Sequence, residues 1–196
     1  MTKKALISLS VAVVVVVWVV AAYNGLISAE ENVASRWGNV QNVYQRRADL
    51  IPNLVATVRG YAEHERTTLE DLTNVRARAT QITVHADNLT PEKLREFQRT
   101  QGELSAALGR LIAISENYPD LKANQNFLEL QAQLEGTENR INVERRNFNE
   151  AAQHYNTKIR RFPTSILAGL FGFDKKPYFE AETGSEAAPQ VQFSSK

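Results

Sequence analysis

The sequence contains no cysteine and only one methionine among its 196 residues. The absence of cysteine excludes disulfides, cysteine-ligated zinc, iron–sulfur clusters and a cysteine nucleophile. Glycine and proline are also scarce, with 9 and 6 residues, which argues against a sandwich or barrel built from many tight turns. The 23 basic residues nearly balance the 22 acidic ones, so we expect no nucleic-acid partner. These absences favour a helical protein of one domain.

Residues that carry chemistry are equally few. His64, His85 and His154 are the only histidines, and no two of them have the spacing of metal ligands on one helix face. His64-Glu65 begins like a zinc-binding H-E-x-x-H helix, but Thr68 stands where the second histidine would lie. There is no glycine-rich phosphate loop and no G-x-S-x-G elbow. We therefore expect no metal site, no cofactor and no catalytic residue, and we interpret the protein as a non-enzyme.

The longest uncharged stretch lies near the N-terminus, between Ala5 and Ala29, and residues 11–20 are valine except for one alanine and Trp18. A helix of roughly 20 residues crosses a hydrocarbon core about 30 Å thick. Trp18 and Tyr23 lie near the downstream edge, where aromatic rings favour the membrane interface. Residues 1–25 are therefore predicted to form the N-terminus and a transmembrane anchor.

The charges that flank this segment predict its orientation. Lys3 and Lys4 precede it, so the positive-inside rule places the N-terminus in the cytoplasm and the remaining chain in the periplasm or another extracytoplasmic space. A cleaved signal peptide is the alternative, because Val20-Ala21-Ala22 offers small residues at a plausible cut site. The apolar run, however, exceeds the roughly 7–15 residues of a signal-peptide core. We favour the anchor.

Beyond the anchor, apolar residues recur at alternating steps of three and four, the repeat of a coiled coil. The first series of inward positions is Val33, Trp37, Val40, Tyr44, Arg47, Ile51, Leu54, Val58 and Tyr61, resumed after a shift near Glu65 by Leu69, Leu72 and Val75. The second is Leu94, Phe97, Gln101, Leu104, Leu108, Leu111, Ser115 and Tyr118. The third is Phe127, Leu130, Leu134, Thr137, Ile141, Phe148, Ala152, Tyr155, Ile159 and Phe162. Short connectors force antiparallel neighbours, so residues 26–163 are predicted to form an elongated antiparallel three-helix bundle, and the whole chain to be all-α.

Prolines punctuate these series. Pro52 lies inside the first one and leaves the carbonyl of Ala48 without its donor, which predicts a kink there or a fresh helix start capped by Asp49. Thr90-Pro91-Glu92 is a helix start, with threonine as the N-cap. After Pro163, residues 165–173 are apolar but too short to span a bilayer.

The C-terminal region is predicted in two parts. Residues 164–180 form a short apolar segment that closes the end of the bundle or, alternatively, enters the bilayer surface or contacts a neighbouring protein. Residues 181–196 mix glycine, serine, proline and acids, which predicts a disordered tail. Aromatic residues in and near this region give a candidate contact surface, comprising Trp37, Phe171, Phe173, Tyr178 and Phe179.

Polar residues interrupt the heptads in two segments. These candidate members of a structural polar network are Arg46, Arg47, Asp49, Asn53, Glu65, Glu138, Asn139, Arg140, Arg145 and Asn149. A buried arginine needs a carboxylate or carbonyl partner, so we expect Arg46 or Arg47 to pair with Glu138. Arg140 or Arg145 is expected to pair with Asp49 or Glu65. We interpret the network as fixing helix register; a ligand or catalytic site and a partner contact are the alternatives.

Several motifs, in order along nearly the whole chain, resemble the LemA family. They are Tyr23-Asn24-Gly25-Leu26, residues 46–55, 60–65, 118–124 and 134–141, Phe148-Asn149, Tyr155-Asn156, Phe162-Pro163, residues 171–173 and Tyr178-Phe179. The resemblance implies a bacterial inner-membrane protein with one N-terminal anchor, an antiparallel helical domain and no established enzyme activity.

What the resemblance implies about function is assembly. Family members include a magnetosome-associated protein, and family genes often lie beside those of TPM-domain proteins or membrane metalloproteases. We therefore expect a scaffold or assembly protein that contacts membrane lipid, associates with itself and recruits partners. The alternative is an accessory subunit tethered to a membrane protease or to a TPM-domain, phosphatase-like protein.

Overall fold

The computed structural model describes residues 3–180. Its helices are α1 (Lys3–Arg59), α2 (Arg66–Gln81), α3 (Pro91–Ser115), α4 (Pro119–Lys122), α5 (Gln125–Arg160) and α6 (Thr164–Phe171), with 3₁₀ turns at Glu63–Glu65 and Ala86–Asn88. No strand occurs in this part of the chain, and the all-α prediction is confirmed. The predicted disordered tail, 181–196, lies outside the described residues.

The apolar N-terminal segment and the first bundle helix are one helix. α1 runs for 57 residues without interruption, a length of roughly 85 Å at 1.5 Å per residue. Its N-terminal part is long and apolar enough to cross a membrane, and no residue of that apolar stretch is buried by the rest of the protein. From Leu26 onward the same helix is covered by the bundle, since Leu26 is fully buried. One N-terminal apolar helix of this kind is the arrangement of a single-pass membrane protein.

α1 also continues through Pro52, so the alternative of a fresh helix start at Asp49 is wrong. The carbonyl of Ala48, which loses its usual helical donor to the proline ring, accepts a hydrogen bond from Arg76 Nε at 2.7 Å. Asp49 instead accepts from Gln45 one turn earlier, at 2.7 Å. A side chain from α2 therefore satisfies the one carbonyl that the proline would leave unpaired.

The bundle has one helix more than the heptad series predicted. The shift near Glu65 is the point where the chain reverses: Arg76 of α2 reaches back to Ala48 of α1, and α2 pairs antiparallel with α3 through Asp71 and Arg110, whose ion-pair atoms are 2.6 Å apart. α5 then runs antiparallel to α1 along its length. Helices α1, α2, α3 and α5 thus pack up, down, up and down. The heptad pattern did not predict this turn, because the apolar repeat resumes directly after the turn.

The core is divided into two clusters of buried residues. The proximal cluster, beside the apolar segment, contains Leu26, Ala29, Val33, Trp37, Val40, Tyr44, Val84, Leu89, Leu94, Phe97, Ile141, Phe148, Ala151, Ala152, Tyr155, Ile159, Ala168 and Phe179. The distal cluster contains Ile51, Leu54, Val55, Val58, Ala62, Leu69, Leu72, Val75, Ala79, Leu104, Ala107, Leu108, Leu111, Leu121, Phe127 and Leu134. Tyr61 and Phe162, predicted to point inward, are 43% and 82% exposed because each lies where a helix has already ended.

The chain beyond α5 folds back onto the bundle. α6 ends at Gly172, whose φ of 73° is left-handed, and Phe173 N–H donates to the Ala168 carbonyl at 2.9 Å. Residues 173–180, which we call the strap, have no regular secondary structure. The strap runs back along α5 and places Phe179 in the proximal cluster.

Candidate functional site

The buried guanidinium of Arg47 lies between the two clusters. Its Nη1 donates to Glu138 Oε2 at 3.0 Å and to Ser105 Oγ at 2.8 Å. Its Nη2 donates to Gln101 Oε1 at 2.7 Å and to the Gln101 carbonyl at 3.2 Å. The guanidinium carbon also lies 5.1 Å from the centroid of the Tyr44 ring, within the range of a cation–π contact. Three helices are thereby joined at one charge.

Arg47 is the one charged residue that is buried among the residues whose exposure the structure describes, which are 3–180 without 5 and 63. A buried charge is costly unless hydrogen bonds and an opposite charge compensate it, and four of the five donors of this guanidinium have acceptors, while Nε has no hydrogen-bond partner. Glu138, by contrast, has a side chain 48% exposed. The bundle therefore holds the positive charge of Arg47 inside and the carboxylate of Glu138 at the surface. This arrangement suits a role in fixing helix register better than a role as an acid–base pair.

The structure brings Arg47 and Glu138 together but separates most of the other residues of the predicted network. Arg46, Asn53, Asn139 and Arg140 are exposed. Within the described chain, no ion pair joins Arg140 or Arg145 to Asp49 or Glu65, so that expected pairing is wrong. Glu65 instead accepts from the Tyr118 hydroxyl at 3.1 Å. Those pairs fail because Asp49 faces outward on α1 and Glu65 lies in the turn at the distal end.

Asn149 and Asn156 of α5 hold the strap by pairing with its backbone. Asn149 Nδ2 donates to the Phe179 carbonyl at 3.0 Å, and its Oδ1 accepts from Phe179 N–H at 2.8 Å. Asn156 makes the same pair of bonds to Lys176, at 2.8 and 2.9 Å, and its Nδ2 also donates to the Tyr178 hydroxyl at 2.9 Å. Each carboxamide thus acts as a peptide group would in a β-ladder.

The end of the strap is held by basic and amide side chains. Arg145 Nη2 and Gln98 Nε2 both donate to the Glu180 carbonyl at 3.1 Å. The Arg145 guanidinium also lies 5.0 Å from the centroid of the Phe179 ring. Arg145 and Asn149, which the sequence assigned to a network with α1, therefore serve the strap.

The five residues of the candidate contact surface divide between core and surface. Trp37 is 1% exposed, and its Nε1 donates to the Val84 carbonyl at 2.7 Å. Phe179 is 6% exposed and stacks on Trp37 with ring centroids 6.0 Å apart. Neither residue is available at the surface, which corrects the expectation from the sequence. Phe171 and Tyr178 are exposed and Phe173 is half-buried.

At the membrane end, α1 is tied to α5, α6 and the strap. Lys158 Nζ donates to the Gly25 carbonyl at 2.6 Å, and a Cβ at position 25 would lie 2.9 Å from that nitrogen, so glycine permits the approach. Lys176 Nζ lies 2.7 Å from Glu30 Oε1. The Tyr23 ring makes edge contacts with the rings of Phe171 and Phe173, at centroid distances of 5.0 and 5.9 Å.

Two tyrosines have raised pKa values. Burial, and then the carboxylates of Glu30 and Asp174, raise the pKa of Tyr155 to about 12. Its hydroxyl is buried without a hydrogen-bond partner. Burial and the hydrogen bond to Glu65 raise the pKa of Tyr118. Both shifts keep the phenol neutral, so neither residue is prepared to act as a base near neutral pH.

Sequence reasoning missed three residues of these contacts. Gln101 was placed inward but not assigned to Arg47, Arg76 was not linked to Pro52, and Asn156 was not linked to the strap. A signal for Asn156 was present, because it lies seven residues after Asn149 on the same helix face. Within residues 3–180, no three histidine, aspartate or glutamate side chains lie together as they would to hold a metal ion.

Comparisons with known proteins find one matching family and several named relatives. The model of the LemA family matches residues 36–193. Magnetosome protein MamQ 2 of Paramagnetospirillum magneticum is 26% identical over 181 residues, which cover 84% of this chain and 66% of the relative. Magnetosome protein MamQ of Magnetospirillum gryphiswaldense is 26% identical over 189 residues, covering 86% and 70%. Protein LemA of Metamycoplasma hominis is 26% identical over 158 residues, covering 81% and 68%. The chain thus spans about two thirds of each relative's length, and none of these names states an enzyme activity.

Proposed function

Because this chain belongs to the LemA family, we propose that it is a non-enzymatic, membrane-anchored scaffold of the bacterial inner membrane. It acts by associating with copies of itself and by recruiting partner proteins beside the bilayer. The observation that carries the proposal is the continuity of α1, in which the exposed apolar segment and the first bundle helix form one helix of 57 residues. A bundle built on such a helix holds its surfaces at a set distance from the membrane.

The contacts at the membrane end support a stiff attachment. Lys158 donates to the Gly25 carbonyl, and Lys176 pairs with Glu30. Leu26 is fully buried and Ala29 is 7% exposed. Because the packing begins within one turn of the apolar segment, no uncovered stretch of α1 is left to act as a hinge. A scaffold needs this property, since a flexible linker would let its surfaces point in any direction.

The continuity of α1 supports an uncleaved anchor over a signal peptide. A cut after Ala22 would fall inside this helix, one residue before Tyr23, whose ring packs against Phe171 and Phe173. We expect the N-terminal peptide of protein isolated from membranes to include Lys3 and Lys4. Mass spectrometry of the intact purified chain measures this, and a mature chain that begins near residue 23 would contradict the anchor.

The proposed orientation puts the bundle outside the cytoplasm. Lys3 and Lys4 precede the apolar segment and Glu30 and Glu31 follow it, which favours a cytoplasmic N-terminus. Protease added to intact spheroplasts should then degrade the bundle while a cytoplasmic marker protein survives. A bundle that is cut only after the spheroplasts are lysed would reverse the orientation and the compartment from which partners come.

Self-association is the part of the proposal that a single measurement decides. Size-exclusion chromatography with light scattering on full-length protein in a mild detergent should give a mass above that of one 22.0 kDa chain. Dilution into excess detergent controls for chains that share a micelle by chance, because a specific oligomer keeps its mass. A monomer at micromolar concentration would contradict the scaffold and leave partner recruitment alone.

An accessory subunit of a single partner is the second candidate, and the distal end of the bundle favours it. Tyr61 is 43% exposed there, and its hydroxyl accepts from Asn124 Nδ2 at 2.9 Å. This end lies farthest from the apolar segment and is free to meet another membrane protein. Co-purification of one protein at fixed stoichiometry, lost in Tyr61→Glu but not in a Val143→Glu control at an exposed position near the middle of α5, would favour the accessory role.

A further inference from the structure

The exposed apolar surface outside α1 is concentrated on α6 and on the turn that precedes it. Phe162 is 82% exposed, Ile166 is 62% exposed and Leu170 is 74% exposed. Ile166 and Leu170 are four residues apart and therefore lie on one side of α6, while Phe162 lies in the turn just before the helix. The opposite side is packed on the bundle, since Leu167 and Ala168 are 7% and 4% exposed. Large apolar side chains aligned in this way indicate an interaction surface, which we call the α6 stripe, comprising Phe162, Ile166 and Leu170.

The α6 stripe lies at the level where α1 leaves the bilayer. Tyr23 contacts Phe171, the last residue of α6, with ring centroids 5.0 Å apart. The first uncharged residue of the apolar segment is Ala5, and 18 residues of helix from there to Tyr23 rise about 27 Å. A hydrocarbon core is about 30 Å thick. α6 therefore lies at the membrane surface whenever α1 spans the bilayer.

The geometry of α6 favours lying in the interface. Its eight residues make a helix of roughly 12 Å, too short to cross a bilayer. Its ends are fixed by the buried side chain of Ile159 before it and by the bond from Phe173 N–H to the Ala168 carbonyl after it. A short helix held with its apolar side outward at this level matches an amphipathic interfacial helix.

Basic residues flank the α6 stripe. Arg160, Arg161 and Lys175 are exposed, and none of them forms an ion pair with another residue between positions 3 and 180. Asp174 is the one acidic residue between positions 158 and 176. Positive charge next to an exposed apolar stripe is complementary to the headgroups of anionic lipids.

We propose that α6 is a second membrane contact, in which the α6 stripe enters the bilayer interface and Arg160, Arg161 and Lys175 bind anionic lipid headgroups. The inference rests on the proposed function only in requiring that α1 spans the bilayer. With α1 as one attachment and α6 as a second, the bundle is held at two points and stands in a fixed orientation to the membrane surface.

The absence of cysteine makes the chain suited to a labelling test. Full-length Ile166→Cys, labelled with an environment-sensitive fluorophore, is reconstituted into vesicles that carry a quencher on the lipid chain near the headgroup. Leu128→Cys is the matched control, because Leu128 is 48% exposed but lies on the distal part of α5. Val15→Cys, in the apolar segment, reports whether α1 spans the bilayer.

The expected result is several-fold stronger quenching at position 166 than at position 128, in vesicles containing phosphatidylglycerol. The difference should fall in vesicles of phosphatidylcholine alone and in the triple variant Arg160→Gln, Arg161→Gln and Lys175→Gln. Circular dichroism of each variant shows that the bundle is still folded, as expected for changes at exposed positions.

Four outcomes would overturn the proposal. Equal weak quenching at positions 166 and 128 would place the α6 stripe in water. Equal strong quenching would mean that the bundle lies flat. Quenching at position 166 that does not depend on lipid charge would exclude anionic headgroups as the ligand of the basic residues. Burial of the label that appears only at a high protein-to-lipid ratio would mean that a second copy of the chain, and not lipid, covers the α6 stripe. Failure of the anchor is distinguishable in a second set of vesicles whose quencher lies near the bilayer centre, because the label at position 15 would then remain unquenched.

Discussion

The two halves of the bundle, on either side of Arg47, have different kinds of core. The proximal cluster is built around aromatic rings, comprising Trp37, Tyr44, Phe97, Phe148, Tyr155 and Phe179. The distal cluster is aliphatic and leucine-rich, with Phe127 as the one aromatic among its buried members. Edge-to-face rings have preferred geometries, whereas aliphatic cores tolerate repacking. The half that joins the apolar segment is therefore the half in which relative positions are more strictly specified.

The strap adds to this difference. It crosses the proximal half alone and contributes Phe179, whose ring packs against Phe148 and Trp37 with centroid distances of 5.5 and 6.0 Å. Among residues 3–180, no comparable segment covers the distal half. The ring contacts and the strap contacts are thus concentrated in the half next to the apolar segment, and the distal half has an aliphatic core. Four experiments would break or sharpen this comparison.

The largest effect is expected from Trp37→Ala. The change removes ring contacts to Phe97, Phe148 and Phe179, and we expect the free energy of unfolding to fall by about 3–5 kcal/mol. The Val84 carbonyl keeps a donor from Gln41 Nε2 at 3.0 Å, so the loss comes from packing. Denaturant unfolding of the full chain in detergent, followed by circular dichroism, measures it.

Two further variants complete that experiment. Leu104→Ala in the distal cluster should cost about 3 kcal/mol, and Trp18→Ala in the exposed apolar segment should leave bundle unfolding unchanged. If Leu104→Ala proves more costly than Trp37→Ala, the aromatic half is not the more strictly specified one.

The next effect concerns the boundary between the halves. Arg47→Met keeps the apolar volume of the side chain but leaves Gln101 Oε1, which accepted its bond at 2.7 Å, buried without a donor. We expect unfolding to be easier by about 2 kcal/mol. Adding Gln101→Leu should recover most of this loss, because both polar partners are then removed together. A double variant no more stable than Arg47→Met would show that the loss does not come from leaving Gln101 unpaired.

A smaller, local effect is expected at the strap. Asn149→Ala removes both bonds to the Phe179 backbone, so the amide of Phe179 should exchange with solvent about tenfold or more faster, equivalent to roughly 1–2 kcal/mol of local opening. Hydrogen exchange with mass spectrometry measures it while global unfolding changes less. Asn142→Ala, seven residues earlier on α5, is the matched control. Equal exchange in both variants would mean that Phe179 packing alone holds the strap.

The smallest effect near neutral pH is expected for Tyr155→Phe, since it removes a buried hydroxyl that has no partner. We expect stability at pH 7 to stay within about 1 kcal/mol of the unchanged protein. The raised pKa of about 12, against 10.0 for a free phenol, means that the folded state holds this proton more tightly than the unfolded chain. Its contribution is therefore complete below pH 10 and is lost as pH rises from 10 towards 12. Unfolding midpoints across this range should fall more steeply for the unchanged protein than for Tyr155→Phe.

Much of this architecture was predictable, because the heptad spacing of apolar residues indicates which side of each helix is buried. Trp37, Phe148 and Tyr155 were correctly assigned inward from spacing alone, since burial on a long helix follows a period of 3.5 residues. The loss of the Ala48 donor was also predictable from Pro52. The residue that replaces that donor, Arg76, was not, because nothing local to α2 indicates which carbonyl it reaches.

The rest depended on where the chain reverses. The turn at 60–62 contains one glycine and no proline, so the apolar repeat continues across it and hides a helix boundary. Trp37, although assigned inward by its spacing, was also named as a contact residue, because an aromatic residue in a coil can serve a partner as well as a core. The strap was unpredictable in its path, since carboxamide bonds to an extended backbone leave no apolar period in the sequence of 173–180.

The carboxamides of Asn149 and Asn156 require the spacing of residues along helix α5 to match the spacing of residues along the extended strap. Seven residues of helix advance about 10.5 Å, and the three residues from Lys176 to Phe179 advance about 10 Å in extended chain. These two distances agree for seven helical and three extended residues, and they would not agree if the strap were one residue longer or shorter between the two pairs. Insertion of a single residue between Lys176 and Phe179 would therefore leave only one carboxamide paired with the strap and would move the Phe179 ring out of the core. A change in length beyond Glu180 would leave both pairs of hydrogen bonds intact.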